Sequence, residues 1–315
     1  MKAVVYTTYG PPDVLRLVDI PTPAVRPNDV LVRVRATTVT IGDTIMRSLR
    51  MPLPAWQKVM ARLYLGWSRP KRTILGMELA GDVEAVGRNV TRFAPGDAVF
   101  ASTFAVGFGG YAEYKCLPED GVLALKPADL TYEQAAAVPG AGMTAWHCLR
   151  RAKIQPGQRV LVYGASGAVG TNAVQLAAHH FGADVTGVCS GANLELVEAL
   201  GARHVLDYTR PGFDLGSAVF DVVFDAVGKL PPAQAKRALE PGGVYLNVHA
   251  VSGGADTLAN LLALESVVAA GQLRPAIDRV YPMDGIVDAH RYVDTGRKCG
   301  NVVIDLEGRR AWRNT

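Results

Sequence analysis

The stretch Val160-Leu161-Val162-Tyr163-Gly164-Ala165-Ser166-Gly167-Ala168-Val169-Gly170 decides the reading of this chain. Its apolar opening predicts a short buried strand, and residues 171–181 behind it read as a helix. Glycines stand at 164, 167 and 170, a shifted G-x-G-x-x-G spacing with alanine at the middle position. A glycine triplet alone says little; a strand before it and a helix after it supply the context that gives it meaning. Gly164 permits the tight turn, and the small Ala165-Ser166-Gly167 backbone admits a diphosphate. Gly170 lets the helix pack on the strand. The helix N-terminus then offers free N–H groups and a partial positive charge to the phosphates, with Ala168 and Val169 counted among the residues that bind the cofactor. The segment therefore predicts a dinucleotide site.

Outward from this bend the pattern repeats. Residues 184–189, 204–206, 221–224 and 244–248 read as strands, and 193–200 as a helix. Strands alternating with helices need crossover connections, so the strands run parallel in a doubly wound α/β sheet. Upstream, residues 131–153 read as helical, with Thr131 as N-cap and Glu133 and Gln134 in the first turn. Pro139 and Gly140 divide that stretch into two helices. About twenty residues past the glycines, where NAD-selective sites carry an acid, stands Ser190. A hydroxyl can donate to a 2′-phosphate that an acid would repel, which favours NADPH, with NADH as the second cofactor. No Lys or Arg occurs between Ser190 and Ala202, so the expected preference is modest.

The first part of the chain is of another kind. Residues 30–36 alternate in period two, and Gly10-Pro11-Pro12, Pro21-Thr22-Pro23, Pro27-Asn28-Asp29 and Ala94-Pro95-Gly96-Asp97 mark turns. Many short strands between such turns predict a compact, β-rich, barrel-like lobe. The chain returns to it through a strand at 277–281, a helix near 284–296 and a strand at 302–306. We assign 1–123 and 263–315 to this lobe and 124–262 to the nucleotide-binding domain. A length of 315 residues leaves room for both cores.

Composition narrows the function classes. Hydrophobic residues at 49% and charged residues at 20% exclude a disordered chain. A net charge of +4 without one basic run gives no support to a nucleic-acid partner. The tail Arg309-Arg310-Ala311-Trp312-Arg313 reads as a solvated end. Cys116, Cys148, Cys189 and Cys299 form neither a CxxC nor a disulfide framework, which points to a reducing, cytoplasmic compartment. Met1 leads straight into an alternating strand without a signal-peptide pattern, and no apolar run is long enough to span a bilayer.

Short motifs now add up to a resemblance. They are Gly76-Met77-Glu78-Leu79-Ala80-Gly81, Pro95-Gly96-Asp97-Ala98-Val99, Gly110-Tyr111-Ala112-Glu113-Tyr114 and the bend at 163–170. Asp225-Ala226-Val227-Gly228, Pro241-Gly242-Gly243 and Gly300-Asn301-Val302-Val303 follow in order. The chain resembles, over essentially its whole length, the zinc-lacking, quinone oxidoreductase-like branch of the medium-chain dehydrogenase/reductase superfamily. The resemblance implies a GroES-like catalytic lobe split around a Rossmann domain, with the active site in the cleft between them. It places Ser190, Asn193 and Tyr208 where NADPH-specific members hold the 2′-phosphate, Asn193 standing where a Lys is frequent. It places Thr144, Ala226, Val227, Gly228, Val248, His249, Ala250 and Asn301 in segments that line the nicotinamide end. Relatives often pair as homodimers through the edge of the Rossmann sheet, although the segment after Val248 is short here.

The same resemblance bears on metal. Zinc-using relatives place a His where this chain has Met77 and a first Cys ligand near Thr40, and the cysteine cluster of their structural zinc is absent. Zinc prefers thiolates and imidazoles, so no metal is expected. Without a Lewis acid, hydride transfer to a quinone or an α,β-unsaturated carbonyl remains accessible, because the product anion is delocalised. Thr40 and Asp43 are the candidate catalytic residues: the family usually has Asn at the first, and Asp43 either orients a water or tethers the loop.

Residues 51–72 are the most distinctive part. Trp56, Val59, Met60, Leu63, Tyr64 and Trp67 recur at helical spacing, with Lys58 and Arg62 on another face. Three readings stay open: a lid over a bulky hydrophobic acceptor, a membrane-surface helix, and a helix packed on the core. For the whole chain the alternatives to a quinone or enone reductase are a metal-free carbonyl or alcohol oxidoreductase and a noncatalytic NADPH-binding protein.

Overall fold

The computed structural model describes residues 1–51, 55–217 and 219–308; the tail at 309–313, read above as a solvated end, lies outside them. The chain forms two units, Met1–Ala137 with Ile277–Thr315, and Val138–Ala276.

The first unit opens with β1 (Lys2–Val5), β2 (Arg16–Asp19) and β3 (Asp29–Thr38), followed by α1 (Ile41–Ser48) and α2 (Ala55–Leu65). Next come β4 (Glu78–Val86), β5 (Ala98–Ser102), β6 (Tyr114–Pro118), β7 (Leu123–Leu125) and α3 (Tyr132–Ala136). The second unit holds α4 (Pro139–Ala152), β8 (Arg159–Tyr163), α5 (Ala168–Gln175), β9 (Asp184–Cys189), α6 (Leu194–Ala199) and β10 (His204–Asp207). It continues with β11 (Phe220–Asp225), α7 (Pro232–Ala238), β12 (Leu239–Asn247), α8 (Val248–Val251) and α9 (Leu258–Ala269). The chain then rejoins the first unit with β13 (Ile277–Pro282), α10 (Ile286–Asp294) and β14 (Asn301–Asp305).

In the first unit β3 is the organiser. Its alternating Val30, Val32 and Val34 are buried and pack with Leu79, Val83 and Val99 into one core. One end of β3 pairs with β6 and the other with β14, while β4 lies along its opposite edge. The ladder therefore runs β13-β14-β3-β4-β5-β7 with β6 as a branch. Among the described residues it ends at β13 and β7. Across it, α10 lays Ile286, Ala289 and Val293 onto a second core with Leu75, Tyr111 and Val302.

The second unit carries five parallel strands in the order β10-β9-β8-β11-β12. Counted along the chain this is the order 3-2-1-4-5, a doubly wound sheet whose direction of winding reverses between β8 and β11. Val160, Leu161 and Val162 are all at 0% exposure, the continuous apolar run of a strand covered on both faces.

Several expectations need correction. The unit boundaries fall after Ala137 and Ala276 rather than after 123 and 262. The reason is packing: α3 lies on β3, β4, β5 and β14, and α9 lies on α4. The helix expected through 181 is α5 followed by a π turn over Leu176–His180. Val248 opens α8 instead of ending a strand, because the Asn247 side chain accepts from His249 N and caps the turn. The core-packed reading of residues 51–72 fails for the described side chains, since Trp56, Val59, Met60, Leu63 and Trp67 are 46–67% exposed. Among the described residues the C-terminal end of α2 is tied down by the Tyr9 hydroxyl, which donates to Leu65 O and Gly66 O at 3.1 Å each. Among the described residues no helix is long and apolar enough to cross a membrane.

Candidate active site

The bend after β8 is built as a cradle for an anion. Gly164 sits at φ +78°, a conformation that costs a side-chain-bearing residue strain. A Cβ on Gly164 would lie 2.6 Å from Val227 Cγ1, so the bend is pressed against the turn that follows β11. A Cβ on Gly170 would stand 2.1 Å from Gly164 O, so only glycine lets α5 start this close to the strand. Gly167 is the N-cap and offers no side-chain acceptor. The first intrahelical bond there is Thr171 N to Gly167 O at 2.8 Å. The N–H groups of Ala168, Val169 and Gly170 consequently have no acceptor among the described residues. Free N–H groups at a helix start, beside a surface no Cβ fills, fit a diphosphate. They lie at the carboxyl ends of the strands where the winding reverses, as such ligands require.

Asp225 secures the neighbouring turn. Its fully buried carboxylate accepts from Val227 N (3.2 Å), Gly228 N (2.8 Å) and Leu230 N (2.9 Å), with Asn247 Nδ2 at 3.3 Å. This fixes Ala226, Val227 and Gly228 and holds Val248, His249 and Ala250 beside them. A Cβ on Gly228 would meet His249 Cδ2 at 2.1 Å, so the two turns touch. Thr144 lies on α4, which packs on α5 and α8, and its hydroxyl donates to Gly140 O at 2.8 Å. The organising role of Asp225 was hidden in a motif that reads only as a family signature.

At the far edge, Asn193 Nδ2 donates to Ser166 Oγ (3.1 Å) and to Ser190 Oγ (3.2 Å), joining the bend to the end of β9. Tyr208 is exposed, its ring 6.4 Å from Tyr163. Two residues that the sequence did not single out join this group. A Cβ on Gly191 would lie 2.6 Å from Asp207 Oδ2, and Arg210 Nε stands 3.7 Å from the same oxygen. Thr209, ahead of Arg210, holds the Asp207 carboxyl below the usual carboxylate range. An anionic Asp207 opposes a 2′-phosphate, whereas the exposed Arg210 guanidinium supplies the cation missing between Ser190 and Ala202.

Thr40, Asp43 and Asn301 belong to the other unit. Thr40 caps α1 in a capping box with Asp43. Asp43 is fully buried, and Thr40 N (2.9 Å), Thr40 Oγ1 (2.6 Å), Gly76 N (2.9 Å) and the Tyr111 hydroxyl all bond its carboxyl. Burial raises its pKa, and these bonds pull the other way. These bonds join the Thr40 loop to Gly76 and Tyr111, while Thr40 itself is half-buried. Behind it runs a buried chain. Arg47 Nη1 can only donate, so His290 Nδ1, at 2.9 Å, accepts. His290 Nε2 then carries the proton toward the Tyr111 oxygen at 3.2 Å, which leaves the Tyr111 hydroxyl proton for Asp43. Arg47 Nη2 ends the chain on Asp294 at 2.6 Å. Asn301 is buried at the start of β14, beside this loop, where Val39 N donates to Val302 O at 2.8 Å. Burial also pushes the Lys298 ammonium down to about 8, and its Nζ donates to Gly300 O at 2.6 Å.

His290 gives a pH dependence. Burial, then Arg47, lowers its pKa from 6.5 to about 3. As pH falls below about 6.5 the unfolded chain takes up this proton and the folded chain does not. The contribution to stability is therefore lost between about 6.5 and about 3, with a slope of about 1.4 kcal/mol per pH unit. Urea unfolding across that range should show His290→Gln flattening the pH slope by one proton.

Zinc does not fit this site. The two positions where zinc-using relatives hold Cys and His do meet here, with Thr40 Oγ1 3.6 Å from Met77 Sδ. They present a hydroxyl and a thioether, whereas zinc sites are built from thiolate, imidazole and carboxylate donors. Among the described residues no group of three His, Cys, Asp or Glu side chains converges.

A doubly wound nucleotide-binding unit and a β-rich unit carrying the Thr40 loop define a two-domain dehydrogenase or reductase. The pattern of the alcohol dehydrogenase GroES-like domain matches residues 26–128, and that of the zinc-binding dehydrogenases matches 168–283. The 2-methylene-furan-3-one reductase of Solanum lycopersicum is 34% identical, over 96% of this chain and 79% of its own. The chloroplastic NADPH-dependent alkenal/one oxidoreductase of Arabidopsis thaliana is 31% identical, with the same coverages of 96% and 79%. The quinone oxidoreductase of Coxiella burnetii superposes with a TM-score of 0.83 at 30% identity, covering 97% of this chain and 99% of that one. The chain belongs to the medium-chain dehydrogenase/reductase superfamily, among its quinone oxidoreductase-like enzymes.

Proposed function

We propose that the protein is a zinc-independent, NADPH-dependent reductase that delivers hydride to an α,β-unsaturated carbonyl or a quinone. The observation that carries this reading is the glycine bend at 164–170, with free N–H groups at 168–170 facing a surface that no Cβ fills. When bound, the nicotinamide supplies the hydride. Ala168, Val169 and Gly170 hold the diphosphate, and the turn pinned by Asp225 orients the nicotinamide end. Ser190, Asn193, Tyr208 and Arg210 receive the 2′-phosphate, which favours NADPH over NADH.

The acceptor class follows from the Thr40–Met77 donor pair together with the relatives. A hydroxyl and a thioether give an alkoxide no metal to rest on, whereas an enolate or quinol anion spreads its charge and needs only hydrogen-bond donors and a proton. The two plant relatives named above are a 2-methylene-furan-3-one reductase and an alkenal/one oxidoreductase by name, and the Coxiella protein is named a quinone oxidoreductase. The free cysteines support work in the reducing cytoplasm.

NADPH oxidation against a panel of enones and quinones tests the assignment, with deuterated cofactor to locate the transferred hydride. Label at the β-carbon of an enone, or NADPH-dependent quinol formation, supports it. Label at the carbinol carbon would make the protein a carbonyl reductase, and tight binding without turnover would make it a binding protein. Arg210→Ala should raise the KM for NADPH on the order of tenfold and leave that for NADH unchanged, the loss of one phosphate-directed guanidinium.

A further inference from the structure

Helix α2 presents an exposed apolar stripe. Trp56, Val59, Met60 and Leu63 fall within about 100° of one another around the helix, and Trp67 continues the line just past its end. All five are 46–67% exposed. Among the described residues the helix is held near its C-terminal end, by Tyr9, by Lys71 N donating to Leu65 O at 2.8 Å and by Lys71 Nζ donating to Leu63 O at 2.7 Å. Charge around the stripe is one-sided. From residue 44 to residue 77 the chain has seven Lys and Arg and no Asp or Glu, more positive charge than the net +4 of the whole molecule. Arg47 is buried on Asp294, but Arg50, Lys58, Arg62, Arg69, Lys71 and Arg72 are exposed. Arg72 lies against Gly107, where a Cβ would meet its Cζ at 2.9 Å, in the loop that also exposes Phe104.

We propose that α2 and the turn after it dock on an anionic lipid bilayer surface. The stripe would enter the headgroup boundary parallel to the membrane, with the bases on phosphate and carboxylate headgroups. Charge selects this occupant over a second copy of the chain, because two such faces brought together would oppose six bases with six. The aliphatic Val59, Met60 and Leu63 between the two tryptophans select it over a single-stranded nucleic acid, since aliphatic side chains offer bases nothing to stack on. Docking of this kind would bring a water-exposed enzyme to acceptors dissolved in lipid. It does not depend on the cofactor assignment.

Flotation of the full-length protein with vesicles of phosphatidylcholine alone, or with about 30% phosphatidylserine, tests it. The protein should float with the anionic vesicles only and be released by salt. Met60→Glu with Leu63→Glu should weaken binding on the order of tenfold or more, and so should Arg69→Glu with Lys71→Glu. Brominated lipid should quench the tryptophan emission of the unaltered protein, and Trp56→Phe with Trp67→Phe should remove that quenching. Failure to float with either vesicle overturns the proposal. So does quenching that survives the tryptophan substitutions, a self-associated species dissolved by Met60→Glu and Leu63→Glu without vesicle binding, or capture by an oligonucleotide in place of vesicles.

Discussion

Replacing Gly170 by alanine is expected to weaken NADPH binding by at least ~100-fold, about 2.7 kcal/mol. The added Cβ would stand 2.1 Å from Gly164 O and 2.8 Å from Ala165 Cα, and both are backbone atoms that no rotamer change can move aside. Relief requires opening the bend or lifting α5 off β8, and either movement displaces the N–H groups of residues 168–170. The loss should therefore appear in affinity first. Fluorescence titration with NADPH reads it, and the thermal midpoint of the cofactor-free protein reports the accompanying cost in stability. Gly253→Ala is the control, because nothing lies within 4 Å of a Cβ there. An unchanged dissociation constant in Gly170→Ala would show that the bend can take a side chain and does not hold the diphosphate.

Asp43→Ala should produce the largest loss of stability among the site variants, at least about 3 kcal/mol. The carboxyl serves Thr40 N, Thr40 Oγ1, Gly76 N and the Tyr111 hydroxyl in a fully buried position. Its removal strands several donors out of reach of water, at about 1–3 kcal/mol each before relaxation. It also strips α1 of its capping box, worth about 1 kcal/mol. Asp43→Asn keeps the shape but turns one acceptor into a donor among donors, so it should fall between the two. Urea unfolding measures both. A loss under 1 kcal/mol in Asp43→Ala would mean that water replaces the carboxylate, and that the loop does not depend on it.

Much of the nucleotide-binding unit was legible because its physics is local. The bend needs glycines where a Cβ would collide, and a buried parallel strand needs an unbroken apolar run; in the other unit Thr131 with Gln134 likewise writes its own cap. What escaped depends on neighbours distant in sequence. Arg210 and Asp207 reach the Ser190 end only because β10 pairs beside β9, a register that spacing along the chain does not reveal. The apolar sequence of α9 runs around the whole helix, so it has no 3.6-residue rhythm to detect. The stripe on α2 has that rhythm, but periodicity is the same whether a face is covered or bare, and only the fold shows it bare. For Asp43, spacing showed a carboxylate three residues past Thr40; its enclosure by Gly76 and Tyr111 is tertiary. The placing of α3 on strands and of α9 on α4, and with it the unit boundaries, is likewise decided by packing between elements distant in sequence.

The central claim is that the bend after β8 holds the diphosphate of a nicotinamide dinucleotide. Hydrogen–deuterium exchange of the intact protein, with and without saturating NADPH, tests it at those atoms. Cofactor should slow exchange in the peptide spanning residues 164–171, whose first helical N–H groups otherwise have no acceptor among the described residues. Unchanged exchange across that peptide in the presence of bound NADPH, or no binding of NADPH or NADH at all, would contradict the account.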